Sequence, residues 1–134
     1  MLKVTAAILT DNGKILIAQK GPNDKRANKW EFPGGKIDPG ETPEQCLERE
    51  MQEEFQVQIQ VGKFFAESLF SYEEGQILVM AYFCVQSGGH LTPTEHADYR
   101  WVTAQELNQF DFVPSDIPIA EKLRQEYDLP SSLK

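Results

Sequence analysis

The chain has 134 residues, 40% of them hydrophobic and 25% charged, which is a composition typical of one globular domain and not of a disordered or fibrous protein. No apolar run approaches the roughly 20 residues that cross a bilayer, and the apolar start reaches Asp11 without a cleavage pattern, so we expect a cytoplasmic protein with no membrane partner. The net charge of −8, with scattered Lys and Arg, argues against a long nucleic acid as partner, although a divalent cation can reverse the local field for a small phosphorylated ligand.

The first third of the chain predicts a hairpin, a loop and a broken strand. Apolar residues at 3–9 and 15–20 flank a turn that carries Asn12-Gly13, which is the pattern of a β-hairpin. Residues 21–31 are rich in Gly, Pro, Asn, Asp and Lys and predict a loop. The segment WEFPGGKI, at 30–37, predicts a short strand that one proline and two glycines interrupt.

A helix is predicted over 43–56. Thr42 is placed to cap it, Pro43 suits the first helical position, and Gln45 sits where a capping box needs it. Its apolar positions recur at helical spacing and form one stripe, composed of Leu47, Met51 and Phe55. The two cysteines, Cys46 and Cys84, have no metal-type spacing and are expected to be small buried apolar residues.

The second half of the chain predicts three strands and two helices. Long strands at 57–72 and 76–86 surround a short turn and predict an antiparallel pair. A further short strand is predicted at 99–103, a short helix at 103–110, and a final helix over about 116–127. Because hairpins join most of the strands, the pattern favours an α+β class, an α/β/α sandwich in which a mixed β-sheet packs between helices.

The first predicted helix crowds like charges at a spacing where they repel each other. Within eleven residues the charged positions are Glu44, Glu48, Arg49, Glu50, Glu53 and Glu54. Three of these, Glu50, Glu53 and Glu54, share one face beside the apolar stripe. Taken alone, such a face is usually just solvated. However, a tight loop with Gly34-Gly35 leads into the helix N-terminus, where anions bind, and carboxylates are ligands that Mg²⁺ and Mn²⁺ prefer. The segment therefore predicts a combined phosphate and metal site.

This segment resembles the Nudix box, whose pattern is Gly, five residues, Glu, seven residues, Arg-Glu, an apolar residue, any residue, Glu-Glu, any residue, Gly, an apolar residue. The matching positions are Gly35, Glu41, Arg49, Glu50, Met51, Glu53, Glu54 and Val57. Gln56 departs from the pattern, which usually has Gly there, so we expect a less ideal end to the helix. The stretches ANKWEFPGGKIDPGETPEQ, RWVTAQEL and DFVPSDIPIAEKL are similar to the MutT type of the family. The resemblance thus implies one Nudix domain over 1–134, with its box at 35–57.

The resemblance implies the Nudix fold and a hydrolase that uses Mg²⁺, with Mn²⁺ as the alternative. The implied metal ligands are Gly34, through its carbonyl, and Glu50, Glu53 and Glu54. The implied catalytic set is Glu53, Arg49, Glu50 and Glu95. In this set Arg49 orients the glutamates, and Glu41 is a supporting carboxylate outside it. Glu95 corresponds to a late glutamate that serves as a metal ligand or general base, although an ordinary surface acid in a loop is an equally good interpretation.

The resemblance also implies four substrate-binding residues, namely Lys20, Phe32, Lys36 and Asp116. The two lysines correspond to groups near the phosphates, with ordinary solvation as their alternative. Phe32 would be a wall for the base. Asp116 stands where the guanine-specific pattern has Asn, and relatives similar to pyrimidine triphosphate pyrophosphohydrolases also have Asp there; a helix N-cap is its structural alternative.

The function implied is hydrolysis of a nucleoside triphosphate to the monophosphate and pyrophosphate. The substrate expected for the MutT type is an oxidised nucleotide such as 8-oxo-dGTP, and the alternative is CTP or dCTP. A hydrolase of nucleotide sugars or ADP-ribose is less favoured, and a catalytically silent nucleotide-binding module is the alternative outside the enzyme class. The small nucleotide is the expected partner, and the protein is expected to be a monomer or a homodimer.

Overall fold

The computed structural model describes residues 1–127, so residues 128–134 of the predicted domain lie outside the described part. The strands are β1 Leu2–Asp11, β2 Lys14–Gln19, β3 Trp30–Glu31, β4 Val57–Tyr72, β5 Gly75–Gly89 and β6 Asp98–Val102. The α-helices are α1 Pro43–Phe55 and α2 Ile117–Tyr127, and 3₁₀ helices cover Ala104–Gln109 and Pro114–Asp116. The element predicted at 103–110 is therefore a 3₁₀ helix, and the last α-helix begins one residue later than predicted. No helix within 1–127 is long and apolar enough to cross a membrane.

Strand β1 lies at the centre of a mixed sheet whose order is β3-β2-β1-β5-β4, with β6 paired to β2. It pairs in parallel with β5, starting at Leu2 opposite Ile77, and antiparallel with β2 across the Asn12-Gly13 turn. The pairing of β4 with β5 is the predicted antiparallel hairpin and has bulges between Val61 and Ala66. The predicted mixed sheet is confirmed.

Alternate residues of β1 supply two hydrophobic cores on opposite faces of the sheet, because successive side chains of a strand point to opposite sides. Ala6 and Ile8 belong to the core that contains the buried residues of α2. Ala7 and Leu9 belong to the other core, which contains the apolar stripe of α1. The two helices thus cover the two faces, and the expected α/β/α sandwich is confirmed.

The ends of α1 follow from its sequence. The side chain of Thr42 accepts a hydrogen bond from the Gln45 N–H at 3.1 Å, and the Gln45 side chain accepts from the Thr42 N–H at 3.0 Å, which completes the capping box. At the other end the helix stops at Phe55, and Gln56 takes a left-handed conformation with φ of 59°. Glycine takes this conformation without strain. Gln56, which stands where the family usually has Gly, therefore gives the helix the less ideal end expected from the sequence.

The Gly-rich loop runs beside β1 and reaches the acidic face of α1. The Thr5 N–H donates to the Gly35 carbonyl at 2.8 Å, and the Ala7 N–H donates to the Pro33 carbonyl at 2.6 Å. A Cβ atom on Gly35 would collide with the carboxylate of Glu50, and one on Gly34 would collide with the Thr5 carbonyl. These two glycines therefore allow the loop to lie between the sheet and the glutamates.

Candidate active site

Arg49, in the middle of α1, joins the Gly-rich loop to the acidic face. Its Nε and Nη2 donate to the two oxygens of Glu41 at 2.6 and 3.0 Å, and its Nη1 donates to Glu50 at 2.7 Å. Nη2 also donates to the Lys36 carbonyl at 3.0 Å. Hydrogen bonding to the guanidinium lowers the pKa of Glu41 to about 2, and the carboxylates raise the pKa of Arg49, so this network is charged at neutral pH.

Glu54 has a buried carboxylate oxygen that lacks a partner. Within residues 1–127 nothing hydrogen-bonds to its Oε1 atom. Burial raises the pKa of Glu54 well above its ordinary value, and the neighbouring carboxylates of Glu31 and Glu50 raise it further. A carboxylate in such surroundings is stabilised by a proton or by a cation.

The oxygen atoms around Glu54 fit a hard divalent cation. Carboxylates, such as those of Glu50 and Glu54, and backbone carbonyls, such as that of Gly34, are the type of ligand that Mg²⁺ and Mn²⁺ take, and Gly34 lines the inner chamber with Glu54. As the described side chains lie, however, no three Asp, Glu, His or Cys side chains converge on one metal position. Glu53 is directed toward Arg49, 3.4 Å from its Nη1, and its side chain is 58% exposed. A site with three box glutamates therefore requires rotation of the Glu53 side chain.

A cleft with two chambers opens beside these carboxylates. The outer chamber, of about 460 Å³, lies between the loop at 21–24 and the loop that carries Glu95. The inner chamber, of about 220 Å³, has apolar walls, which include Phe32, Tyr72, Ile77, Val79 and Val113, and charged ones, which include Arg26 and Asp116. Lys20, Glu31 and Glu54 line both chambers, so they lie at the junction. A ligand with one highly charged end and one ring system, whose faces are apolar and whose edge is polar, matches this cleft.

Asp116 lies at the wall of the inner chamber and is 4% exposed. Its Oδ2 accepts a hydrogen bond from the Phe32 N–H at 2.9 Å, which ties the turn before α2 to the end of β3. Burial raises the pKa of Asp116 to about 7, and the charge of Glu31 adds to this effect. The carboxyl group can therefore be an acceptor or, when protonated, a donor near neutral pH.

Comparison with known proteins identifies the family. A family model described as "NUDIX domain" matches residues 1–123. The chain belongs to the Nudix family. It is 36% identical over 121 residues to the CTP pyrophosphohydrolase of Escherichia coli, with 90% of each chain covered. It is 32% identical over 125 residues to the 8-oxo-dGTP diphosphatase of the same species, with 92% of this chain and 97% of that protein covered. The solution structure of the E. coli ORF135 protein is similar at a TM-score of 0.85 and 33% identity, with 98% and 94% coverage. These findings make the chain a MutT-like Nudix hydrolase.

The Nudix structure brings most of the predicted site residues to the cleft. Lys20 and Glu95 line the outer chamber together with Glu54, and Phe32 lines the inner one. The exposed side chain of Lys36 lines neither chamber, as is also true of Arg49, Glu50 and Glu53, and its backbone carbonyl accepts from Arg49. The contact of Lys36 with substrate phosphates stays a prediction.

Several residues of the cleft, Glu31 and His96 among them, escaped the sequence analysis of this Nudix domain. The Glu31 carboxylate lies 2.8 Å from the Nε2 of His96 and 3.3 Å from the Nζ of Lys20. The side chain of His96 is only 6% exposed and stacks on Phe55. The one signal in the sequence was the place of Glu31 in the MutT-like stretch, directly before Phe32.

Proposed function

We propose that this protein is a Mg²⁺-dependent nucleoside triphosphate pyrophosphohydrolase, which converts a (d)NTP such as 8-oxo-dGTP to the monophosphate and pyrophosphate. The observation that carries the proposal is the position of Glu54. Its carboxylate has one buried oxygen without a partner, and the residue lines both chambers of the cleft. A polyphosphate in the outer chamber and a base in the inner chamber would place the phosphate chain beside Glu54.

The residues that would hold Mg²⁺ are Glu50 and Glu54, with the carbonyl of Gly34 and, after rotation of its side chain, Glu53. When bound, such an ion neutralises phosphate charge and lowers the pKa of a water molecule. Arg49 keeps the carboxylate of Glu50 in a fixed orientation through the hydrogen bond at 2.7 Å. It also keeps the Gly-rich loop in contact with α1 through the Lys36 carbonyl.

Other residues of the cleft bind the nucleotide and accept the proton that the attacking water loses. Lys20 presents an ammonium group at the junction, where it meets phosphate oxygens. Glu95 is exposed at the edge of the outer chamber, and in this proposal it accepts a proton from the attacking water. As the new bond from water oxygen to phosphorus forms, the bond from phosphorus to the pyrophosphate oxygen breaks, and pyrophosphate leaves.

A second candidate, CTP or dCTP, is favoured by the 36% identity to a CTP pyrophosphohydrolase. Asp116 is compatible with it, because a carboxylate at the base edge accepts hydrogen bonds from an exocyclic amino group, which cytosine and guanine both present.

The experiment that tests the proposal is pyrophosphate release from 8-oxo-dGTP, dGTP, dCTP, 5-methyl-dCTP and CTP, each with Mg²⁺ and with Mg²⁺ plus EDTA. The proposal expects metal-dependent release of one pyrophosphate per monophosphate formed, and the order of kcat/KM across the panel decides between the oxidised purine and the pyrimidine. Nucleotide binding without any turnover would overturn the enzyme assignment in favour of a silent binding module.

A further inference from the structure

Glu31 connects three parts of the cleft. It ends the two-residue strand β3, and its side chain is 17% exposed at the junction of the two chambers. Its Oε2 lies 2.8 Å from the Nε2 of His96, and its Oε1 lies 3.3 Å from the Nζ of Lys20. The two partners come from different places in the chain, since Lys20 follows β2 and His96 precedes β6.

His96 is held in a fixed orientation. Its ring stacks on the ring of Phe55 at 5.2 Å between centroids, with 13° between the planes. In the described part of the chain its Nδ1 has no hydrogen-bond partner, so the contact with Glu31 is the polar contact that the structure gives this ring. A carboxylate oxygen accepts, so in this contact we assign the proton to the Nε2 atom of His96.

The loop that contains His96 is also hydrogen-bonded to the end of α1. The Thr94 N–H donates to the carbonyl of Glu54 at 3.0 Å, and the Thr94 hydroxyl donates to the carbonyl of Glu53 at 2.8 Å. The Ala97 N–H donates to Gln19, the last residue of β2, at 2.9 Å. Glu95 lies between these anchors, next to His96. Its position is therefore set by the same contacts that hold the last turn of the box helix.

From these contacts we propose that Glu31 and His96 form a positioning pair, which holds the loop at 92–97 and its Glu95 at the edge of the outer chamber, while Glu31 also holds Lys20. The role of the pair in turnover rests on the proposed function; its role in loop position does not. The pair spans 65 positions in the chain and lies outside the Nudix box. His96 also lines the outer chamber, with a side chain that is 6% exposed. Displacement of a catalytic group by about 1 Å can cost roughly a hundredfold in rate, so the pair would affect turnover through the position of Glu95.

The first test measures loop position without any substrate, by amide hydrogen exchange of the full chain. His96→Leu removes the donor to Glu31, whereas His96→Gln keeps an N–H donor at a similar reach. We expect the Thr94 and Ala97 amides to exchange about tenfold faster or more in His96→Leu, and near the wild-type rate in His96→Gln. The matched control is His90→Leu, since His90 is the other histidine and is exposed.

If His96→Leu does not fold, Glu31→Leu removes the same hydrogen bond from the other side and must produce the same faster exchange. Imidazole ¹⁵N spectra give an independent readout, in which we expect a protected Nε2–H for His96 and none for His90. The proposed pair would be contradicted by an Nδ1–H tautomer for His96. It would also be contradicted if exchange at Thr94 and Ala97 stayed within about twofold of wild type in both His96→Leu and Glu31→Leu.

The second test addresses turnover. With the best substrate of the panel, His96→Leu should lower kcat about tenfold or more with little change in KM, and His96→Gln should restore most of it. Equal losses in the two variants, or a kcat near wild type in His96→Leu, would contradict the role in positioning. A wild-type protein that turns over no nucleotide would defeat the proposed function, whereas the exchange rates would still decide whether the pair holds the loop.

Discussion

Arg49 explains how one short helix can hold so many glutamates. Its guanidinium makes a bidentate pair with Glu41 and a third hydrogen bond with Glu50. The fixed fork of five N–H donors allows this, and an ammonium group does not have that geometry. The positive charge also offsets the repulsion between carboxylates at i and i+4 spacing. The acidic face is thus an arranged network and not a set of independently solvated side chains.

Replacement of Arg49 by Lys should therefore lower activity although the charge is kept. We expect kcat/KM to fall roughly 10- to 100-fold, because Glu50 loses its fixed orientation. The measurement is steady-state kinetics beside a thermal midpoint. The control is Arg100→Lys, which changes an exposed pair with Asp98 and should leave kcat/KM nearly unchanged. Equal kinetics for the two variants would contradict the orienting role of Arg49.

Asp116 should make stability depend on pH in an unusual direction. Its pKa is raised from 3.8 to about 7 in the folded protein, so the folded state holds this proton between about pH 4 and pH 7 while the unfolded state loses it. The native state is consequently destabilised as pH rises through that window, by on the order of a few kcal/mol once both states are ionised. This destabilisation is absent below about pH 4, where the Asp116 carboxyl group is protonated in both the folded and the unfolded state.

Asp116→Asn removes this titration and keeps an acceptor for the Phe32 N–H. We expect the variant to be more stable than wild type at pH 8, with the difference in melting temperature shrinking toward pH 5. Differential scanning calorimetry across this range measures it, with the exposed Asp111→Asn as control. A difference between variant and wild type that does not change with pH would show that Asp116 keeps its ordinary pKa.

Among the helices and strands, features that depend on neighbouring residues could be predicted from the sequence, whereas contacts between distant segments could not. The capping box of α1 and the turn of the first hairpin involve residues within a few positions, so their patterns predicted them correctly. The contact between Glu31 and His96 depends on how β3 and the loop before β6 meet across the sheet. No spacing of residues in the sequence predicts this contact.

The end of α1 gives a prediction about stability. Gln56 has a φ of 59°, a left-handed conformation that costs a residue with a side chain roughly 1 kcal/mol more than glycine. Gln56→Gly should therefore raise the free energy of unfolding by roughly that amount in a denaturant titration, with kcat unchanged. Gln52→Gly, one turn earlier in the same helix, should lower it by about 1 kcal/mol. Destabilisation by both substitutions would contradict the strain at position 56.

The whole molecule combines a net charge of −8 with an acidic site for an anionic ligand. Such a protein repels a polyphosphate unless a cation reverses the field at the site. The sheet explains how the cleft is built, since residues of β1, β3 and β5 line it together with Glu54 from the end of α1. The fold could be inferred from sequence because its hairpins, capping box and Nudix pattern all agree.

Mg²⁺ should stabilise the wild-type fold. An ion that binds only the native state adds about 2.7 kcal/mol at 100 times its dissociation constant, so the melting temperature should rise with MgCl₂ above the effect of NaCl at equal ionic strength. Glu54→Gln removes a buried carboxyl group whose raised pKa shows that burial disfavours its charged form. This variant should melt higher than wild type without metal and respond less to Mg²⁺. An undiminished Mg²⁺ shift in Glu54→Gln would place the ion elsewhere.

The most direct measurement of the central claim compares turnover in three variants of one helix. Glu53→Gln and Glu54→Gln remove carboxylates of the acidic face, and Glu48→Gln removes an exposed carboxylate outside it. With Mg²⁺ and the best nucleotide of the panel, we expect kcat to fall about 100-fold or more in the first two variants and to stay within about twofold of wild type in Glu48→Gln, with all three folded. Near-native turnover in Glu53→Gln and Glu54→Gln would contradict the assignment of this helix face as the site of the reaction.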